Sequence, residues 1–69
     1  MDGSTYKIIE LVGSSTVSWE DAAKHAVETA AQTVTDIRIA EIVKLDMKIE
    51  NGVVTTYRAR VSLSFKYRE

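Results

Sequence analysis

The feature that most constrains the fold is a pair of long alternating segments that meet at Glu50-Asn51-Gly52. From residue 37 to 49, and again from 53 to 67, apolar residues take most of the odd positions and charged or hydroxyl residues take the even ones; Glu41 interrupts the apolar series of the first arm. A period of two over this length is typical of a strand with one buried face. The two segments predict one long β-hairpin in which both arms bury their odd residues.

The turn of this hairpin must join the arms without reversing their faces, because residues directly opposite each other point to the same side of a sheet. A two-residue turn at Asn51-Gly52 would pair Glu50 with Val53 and reverse them. We therefore expect a three-residue loop, Glu50-Asn51-Gly52, with Gly52 left-handed in a G1 bulge. The expected pairs are Ile49 with Val53, Leu45 with Tyr57, Lys44 with Arg58, Ile39 with Leu63, and Ile37 with Phe65.

Two shorter elements precede the hairpin. Residues 6–12 predict a strand, followed by a loop over residues 13–17. Ser18 is a good helix N-cap with Asp21 three residues later, and an unbroken apolar stripe, mostly alanine, runs at helical spacing from Trp19 to Val34. Thr35 and Asp36 are expected to end this helix. Residues 1–4 carry no periodicity and are expected to form a disordered start.

The order strand-helix-strand-strand predicts an α+β fold, with one helix covering a three-stranded antiparallel sheet in the spatial order first, third, second. A helix of about 16 residues is about 24 Å long, whereas the two arms would reach roughly 43 to 50 Å. The hairpin must overhang the helix. It either curls around the helix or pairs its ends with other subunits.

Composition narrows the class of protein. The chain has 69 residues, no cysteine and one histidine, so it is expected to be one domain over residues 1–69 that needs oligomerisation to stabilise a small core. A net charge of −1 argues against a nucleic-acid binder. No early segment has a basic start followed by an apolar run, and no run approaches membrane-spanning length. We expect a cytoplasmic protein without nucleic-acid or membrane partners.

The residues do not predict an enzyme, because the hydroxyl groups lack a paired base and Asp46 and Glu50 lie about 13 Å apart along one strand. Trp19 is expected to anchor the core or an interface rather than stack on a ligand. The even face of the hairpin is rich in cations, and a cross-strand salt bridge between Asp46 and Arg58 is the simplest interpretation. Partner carboxylates or a phosphate-bearing ligand are the alternatives. The cations are Arg38, Lys44, Lys48, Arg58, Arg60, Lys66 and Arg68.

Three collinear segments resemble the dodecins. They are Tyr6-Lys7-Ile8-Ile9-Glu10-Leu11-Val12-Gly13-Ser14-Ser15, Ser18-Trp19-Glu20 with Ala22-Ala23, and Val61-Ser62-Leu63-Ser64-Phe65-Lys66. The resemblance implies a strand-helix-strand-strand protomer whose sheet wraps the helix. It also implies a hollow homododecamer built from trimers, which binds and stores a small ligand without turnover.

The best-known dodecins bind flavins, and the resemblance places their ligand-binding positions on three residues of this chain. The stacking tryptophan falls on Ile39, the glutamine that hydrogen-bonds the flavin ring falls on Arg58, and a nearby arginine falls on Asp46. All three positions are substituted. The loss of the tryptophan removes stacking worth roughly 1 to 3 kcal/mol per face. Riboflavin or FMN is therefore kept only as the alternative ligand, and its binding would need a remodelled pocket.

Other segments resemble the calcium-type dodecins, which lack the flavin tryptophan. They are Ser18-Trp19-Glu20, Asp36-Ile37-Arg38-Ile39-Ala40, Asp46-Met47, Tyr57-Arg58 and Ser64-Phe65-Lys66. This resemblance implies calcium or another hard cation as the ligand. Asp46, Glu50 and Glu41 are the candidate metal ligands, assembled across subunits. A purely structural shell is the third hypothesis.

Overall fold

The computed structural model describes residues 3–67, so Met1, Asp2, Arg68 and Glu69 lie outside the described residues. These include half of the expected disordered start and the last cation of the even face. The elements are β1 (Tyr6–Ser15), α1 (Trp19–Ala30), β2 (Ile37–Glu50) and β3 (Val53–Lys66). The strands form one antiparallel sheet in the order β1-β3-β2. This confirms the α+β fold and the predicted strand order.

The core lies between α1 and the central strand β3. Its six buried apolar residues are Ala22, Ala26, Ala30, Ala59, Val61 and Leu63. The alanines of α1 let the helix axis approach the sheet, and Gly13 of β1 completes this close approach. A Cβ at Gly13 would overlap the carbonyl oxygen of Ala22 and lie 3.0 Å from the Cβ of Ala26.

Two element boundaries differ from the sequence prediction. β1 continues through Gly13 to Ser15 instead of ending at Val12, because Gly13 pairs with Ala59 and packs against the helix. The helix ends at Ala30, short of the predicted end after Val34. The apolar stripe continues through turns instead, with Val34 N–H donating to the carbonyl of Ala30 at 2.9 Å, because the chain must reverse direction before β2.

The predicted three-residue hairpin loop is wrong. Asn51 and Gly52 form a two-residue turn with φ values of 52° and 76°, and Glu50 pairs with Val53. Two successive positive φ values match a type I′ turn, whose twist suits a hairpin. A bulge next to the turn brings the apolar side chains of both arms back to one face of the sheet. The register shifts between Lys48 and Ile49 and leaves Thr55 of β3 between two paired positions.

Further register shifts in β2 change which residues face the helix. One shift lies between Ile42 and Lys44, and another between Ile37 and Ile39. Of the expected pairs, Ile37 with Phe65 is confirmed. The other four are wrong, because each bulge offsets the pairing by one residue. The observed pairs are Ile49 with Val54, Leu45 with Ala59, Lys44 with Arg60, and Ile39 with Ser64.

Candidate functional site

The outer face of the sheet, opposite α1, carries a bidentate ion pair between Arg58 and Asp46. Arg58 Nε donates to Asp46 Oδ1 at 2.7 Å, and its Nη2 donates to Oδ2 at 2.9 Å. The two residues are directly opposite in the β2–β3 register. The hydrogen bond from Arg58 lowers the pKa of Asp46, and the nearby charges of Arg60 and Lys44 lower it further. The predicted cross-strand salt bridge is therefore present, between two directly opposite residues.

The positions aligned with the flavin site do not converge within one chain. Arg58 and Asp46 bind each other through two of the three guanidinium nitrogens, Nε and Nη2. Ile39 lies on the same face opposite Ser64, roughly 20 Å along β2 from Asp46 by strand rise. A ligand that touched all three positions would need residues from more than one subunit.

The three candidate metal ligands are also separate within one chain. Asp46 is paired with Arg58, and Glu50 lies 3.8 Å from Lys48 beside the turn. Glu41 is opposite Ser62 and lies on the outer face. The expectation that Glu41 interrupts the buried face is wrong, because the register shift after Ile42 reverses the faces. Within residues 3–67, no three acidic, histidine or cysteine side chains come together as a metal site.

Two unpaired cations face each other beside this ion pair. Lys44 of β2 is directly opposite Arg60 of β3, and both are exposed. Neither makes an ion pair within 4.0 Å in the part of the chain that the structure describes. The expected opposition of like charges is thus real, but it involves Arg60 instead of Arg58, and it is unfavourable unless an anion lies near.

The helix side of the sheet holds an open apolar groove of about 500 Å³. Trp19 forms one wall and donates its indole N–H to the backbone carbonyl of Asp46 at 3.0 Å. Its ring meets Tyr57 edge to face, with centroids 5.3 Å apart. Trp19 therefore ties the start of α1 to both strands of the hairpin, as expected of a packing anchor. The groove is lined by Trp19, Glu20, Ala23, Ile42 and Leu45.

A hydroxyl–carboxylate–imidazole cluster lies at the junction of β1 and α1. Ser15 Oγ donates to Asp21 Oδ2 at 2.6 Å, and Asp21 lies 3.6 Å from His25 Nε2. His25 Nδ1 lies 3.2 Å from the carbonyl oxygen of Ser14. The hydroxyl is bonded to the carboxylate and not to the imidazole, so the cluster does not form a nucleophile–base pair. Sequence reasoning missed Ser15, although its place three residues before the N-cap Ser18 is a usable signal.

The helix of the described chain is too short and too polar to cross a membrane.

Three comparisons with known proteins bear on this arrangement. The family model for dodecins matches residues 5–68. The calcium dodecin of Mycobacterium tuberculosis (strain ATCC 25618 / H37Rv) is 43% identical over 65 residues, which cover 94% of this chain and 92% of that protein.

Solved structures show the same likeness. A dodecin from Streptomyces coelicolor matches with a TM-score of 0.92 and 30% identity, covering 100% of this chain and 99% of that one. The M. tuberculosis calcium dodecin, described as calcium chelating and as having a novel calcium-binding site, matches with a TM-score of 0.83 and 44% identity. That match covers 94% of this chain and 93% of the other.

Proposed function

Because this chain belongs to the dodecin family, we propose that it binds and stores a small ligand without chemical turnover, and that the ligand is calcium or a similar hard divalent cation. The observation that carries this proposal is the 43% identity over 94% of the chain with a calcium dodecin. The outer face supports it, since carboxylate oxygens are the ligands that calcium prefers. The expected cytoplasmic location stays a prediction.

We propose that the working form is a homododecamer built from trimers. A core of six buried apolar residues is small for a chain of this length. The hairpin meanwhile leaves large apolar side chains between 42% and 62% exposed, a pattern that favours burial against further copies. These side chains are Ile42, Val43, Leu45, Met47, Ile49, Val53 and Val54.

Calcium binding across subunits would bring together carboxylates that one chain keeps apart. Glu41, Asp46 and Glu50 are spaced about 13 to 16 Å apart along β2 by strand rise, so one ion cannot bridge them within a protomer. Symmetry can place copies of one carboxylate around a shared ion. Asp46 would have to release Arg58 to contribute, whereas Glu41 makes no ion pair within residues 3–67.

Native mass spectrometry before and after chelator tests both parts of the proposal. The expected result is twelve subunits with excess mass in calcium steps, removed by chelator. Thermal unfolding gives a second readout, because a ligand at 100 times its Kd stabilises the native state by about 2.7 kcal/mol. A calcium-independent melting temperature together with a clean twelve-subunit mass would refute calcium storage and favour a purely structural shell.

Flavin storage is the alternative, and the residues at the aligned positions argue against it. Ile39 offers no aromatic face, and the guanidinium of Arg58 is already bound to Asp46. Arg58 can donate but cannot accept hydrogen bonds. Titration of riboflavin and FMN should therefore show no fluorescence quenching at micromolar flavin. Stoichiometric quenching would overturn this part of the argument.

A further inference from the structure

The first two turns of α1 place the only histidine of the sequence beside a carboxylate. Asp21 and His25 are four residues apart on α1, so their side chains lie on the same side of the helix. His25 Nε2 lies 3.6 Å from Asp21 Oδ2, and the side chains of His25 and Asp21 are 56% and 36% exposed. An ion in solution can therefore reach the space between the two atoms.

The other ring nitrogen of His25 shows where the imidazole carries its proton. His25 Nδ1 lies 3.2 Å from the backbone carbonyl oxygen of Ser14. A carbonyl oxygen only accepts hydrogen bonds, so Nδ1 is the donor, and Nε2 of a neutral ring is then an acceptor. The carboxylate of Asp21 is an acceptor as well. Two acceptors thus face each other, and the arrangement calls for a positive group between them, either a second proton on the ring or a metal ion.

Ser15 at the end of β1 orients the carboxylate. Its Oγ accepts hydrogen bonds from the backbone N–H groups of Val17 at 2.9 Å and Ser18 at 3.4 Å, which leaves its hydrogen to donate to Asp21 Oδ2 at 2.6 Å. No lysine or arginine lies within 4.0 Å of Asp21 in the described part of the chain. The imidazole and the carboxylate are each held by a hydrogen bond to the end of β1, as metal-binding histidines and carboxylates usually are held.

The donor atoms and their spacing select a class of metal. Zinc binds histidine nitrogen and carboxylate oxygen at about 2.0 to 2.2 Å, so two such ligands at a tetrahedral angle lie about 3.4 Å apart. The 3.6 Å between His25 Nε2 and Asp21 Oδ2 is close to this spacing. Calcium takes oxygen ligands, whereas imidazole suits zinc, copper and nickel. The pair therefore fits a transition metal ion and not a second calcium ion.

We propose that Asp21 and His25 chelate a divalent transition metal ion such as zinc, with Ser15 as a positioning residue for the carboxylate. Each chain supplies two ligands, because no third histidine, cysteine or acidic side chain joins them within residues 3–67. Water or a neighbouring copy fills the other positions of a four-coordinate zinc ion. The site shares no residue with the carboxylates of β2, and it does not depend on calcium storage.

Isothermal titration of the intact protein with zinc chloride tests the site. His25→Ala and Asp21→Asn should each weaken zinc binding at least tenfold, because even the loss of a group that only orients a ligand costs about tenfold. Glu28→Gln is the matched control, since it removes an exposed carboxylate of the same helix that is not grouped with the pair. It should bind zinc as the unaltered protein does. Circular dichroism and native mass check the fold of each variant.

The role of Ser15 needs a readout that a general loss of structure would not give. Ser15→Ala should weaken zinc binding about tenfold in the unaltered protein. In the Asp21→Asn background it should have no further effect, because Ser15 acts only through that carboxylate. Equal weakening in both backgrounds would overturn the positioning role.

Nitrogen NMR of protein labelled with 15N-histidine shows coordination directly, because the sequence has one histidine. Zinc should shift the Nε2 signal of His25 and leave Nδ1 protonated. The proposal is overturned if Nε2 does not move, or if His25→Ala or Asp21→Asn binds zinc as tightly as Glu28→Gln. Saturating calcium should leave the zinc affinity unchanged, and displacement of zinc by calcium would overturn a separate site. A protein that binds zinc in this way but no calcium would refute calcium storage alone.

Discussion

Replacing Gly13 by alanine tests how closely the helix and sheet must approach. The added Cβ would overlap the backbone carbonyl of Ala22 and lie 3.0 Å from the Cβ of Ala26, whereas carbon atoms pack best at about 3.5 to 4.0 Å. Because the atom in the way belongs to the helix backbone, the whole of α1 must move away from the sheet to make room. Overpacking of this kind costs about 1 to 3 kcal/mol, and a backbone obstacle favours the upper end.

A glycine in a strand is itself destabilising by about 0.5 to 1 kcal/mol relative to alanine. We therefore expect Gly13→Ala to lower the free energy of unfolding by about 2 kcal/mol net. With a urea m-value near 1 kcal/mol/M, the midpoint should fall by about 2 M. Both proteins must be compared at one protein concentration, because the proposed assembly would make the measured stability depend on concentration.

Gly3→Ala is the matched control, since a Cβ at Gly3 meets nothing within 4 Å. Its urea midpoint should equal that of the unaltered protein within error. If Gly13→Ala unfolds at the same midpoint as Gly3→Ala, the helix is not held against β1 as described, and the argument for the close approach fails.

Four further predictions each concern a substitution at one position. Gly52→Ala should destabilise the protein by about 1 kcal/mol, seen in urea unfolding, because Gly52 has φ 76°; an unchanged midpoint would contradict the turn geometry. Ser18→Ala should also cost about 1 kcal/mol, since Ser18 Oγ accepts a hydrogen bond from the backbone N–H of Asp21 at 3.0 Å. Trp19→Phe should cost about 1 kcal/mol through the lost indole hydrogen bond; no loss would mean that this bond is replaced by water. In an NMR pH titration, Asp46 should protonate below its ordinary pKa of 3.8, and Arg58→Gln should return its pKa toward that value. Because the folded pKa is lowered, the stabilisation from this pair is present above pH 3.8 and is lost as the pH falls through the folded pKa.

The fold was predictable because its elements have strong periodic signals. The alanine stripe from Trp19 and the alternating arms required one helix packed on a hairpin, and Ser18 marked the helix start. The helix end was less predictable, because the apolar stripe continues beyond Ala30 without a glycine to stop it. Gly13 resembled a loop residue, and its role against the helix carbonyl of Ala22 depends on tertiary packing.

The hairpin register could not be derived from alternation alone. The prediction of the turn assumed that both arms alternate without interruption. A two-residue turn at Asn51-Gly52 would then have put the two apolar faces on opposite sides, and it was rejected for that reason. A bulge at Thr55 and another at Val43 each offset the pairing by one residue, and no residue type marks them in advance. As a result Glu41 lies on the outer face opposite Ser62, which alternation alone did not predict.

Trp19 gives the molecule a built-in optical reporter. It is the sole tryptophan in the sequence, and it contacts the carbonyl of Asp46 and the ring of Tyr57 at once. Its emission therefore responds to the hydration of one place, the wall of the helix-side groove, and not to an average over the chain. The subunit association proposed for the apolar hairpin can therefore be tested by intrinsic tryptophan fluorescence, without an added label.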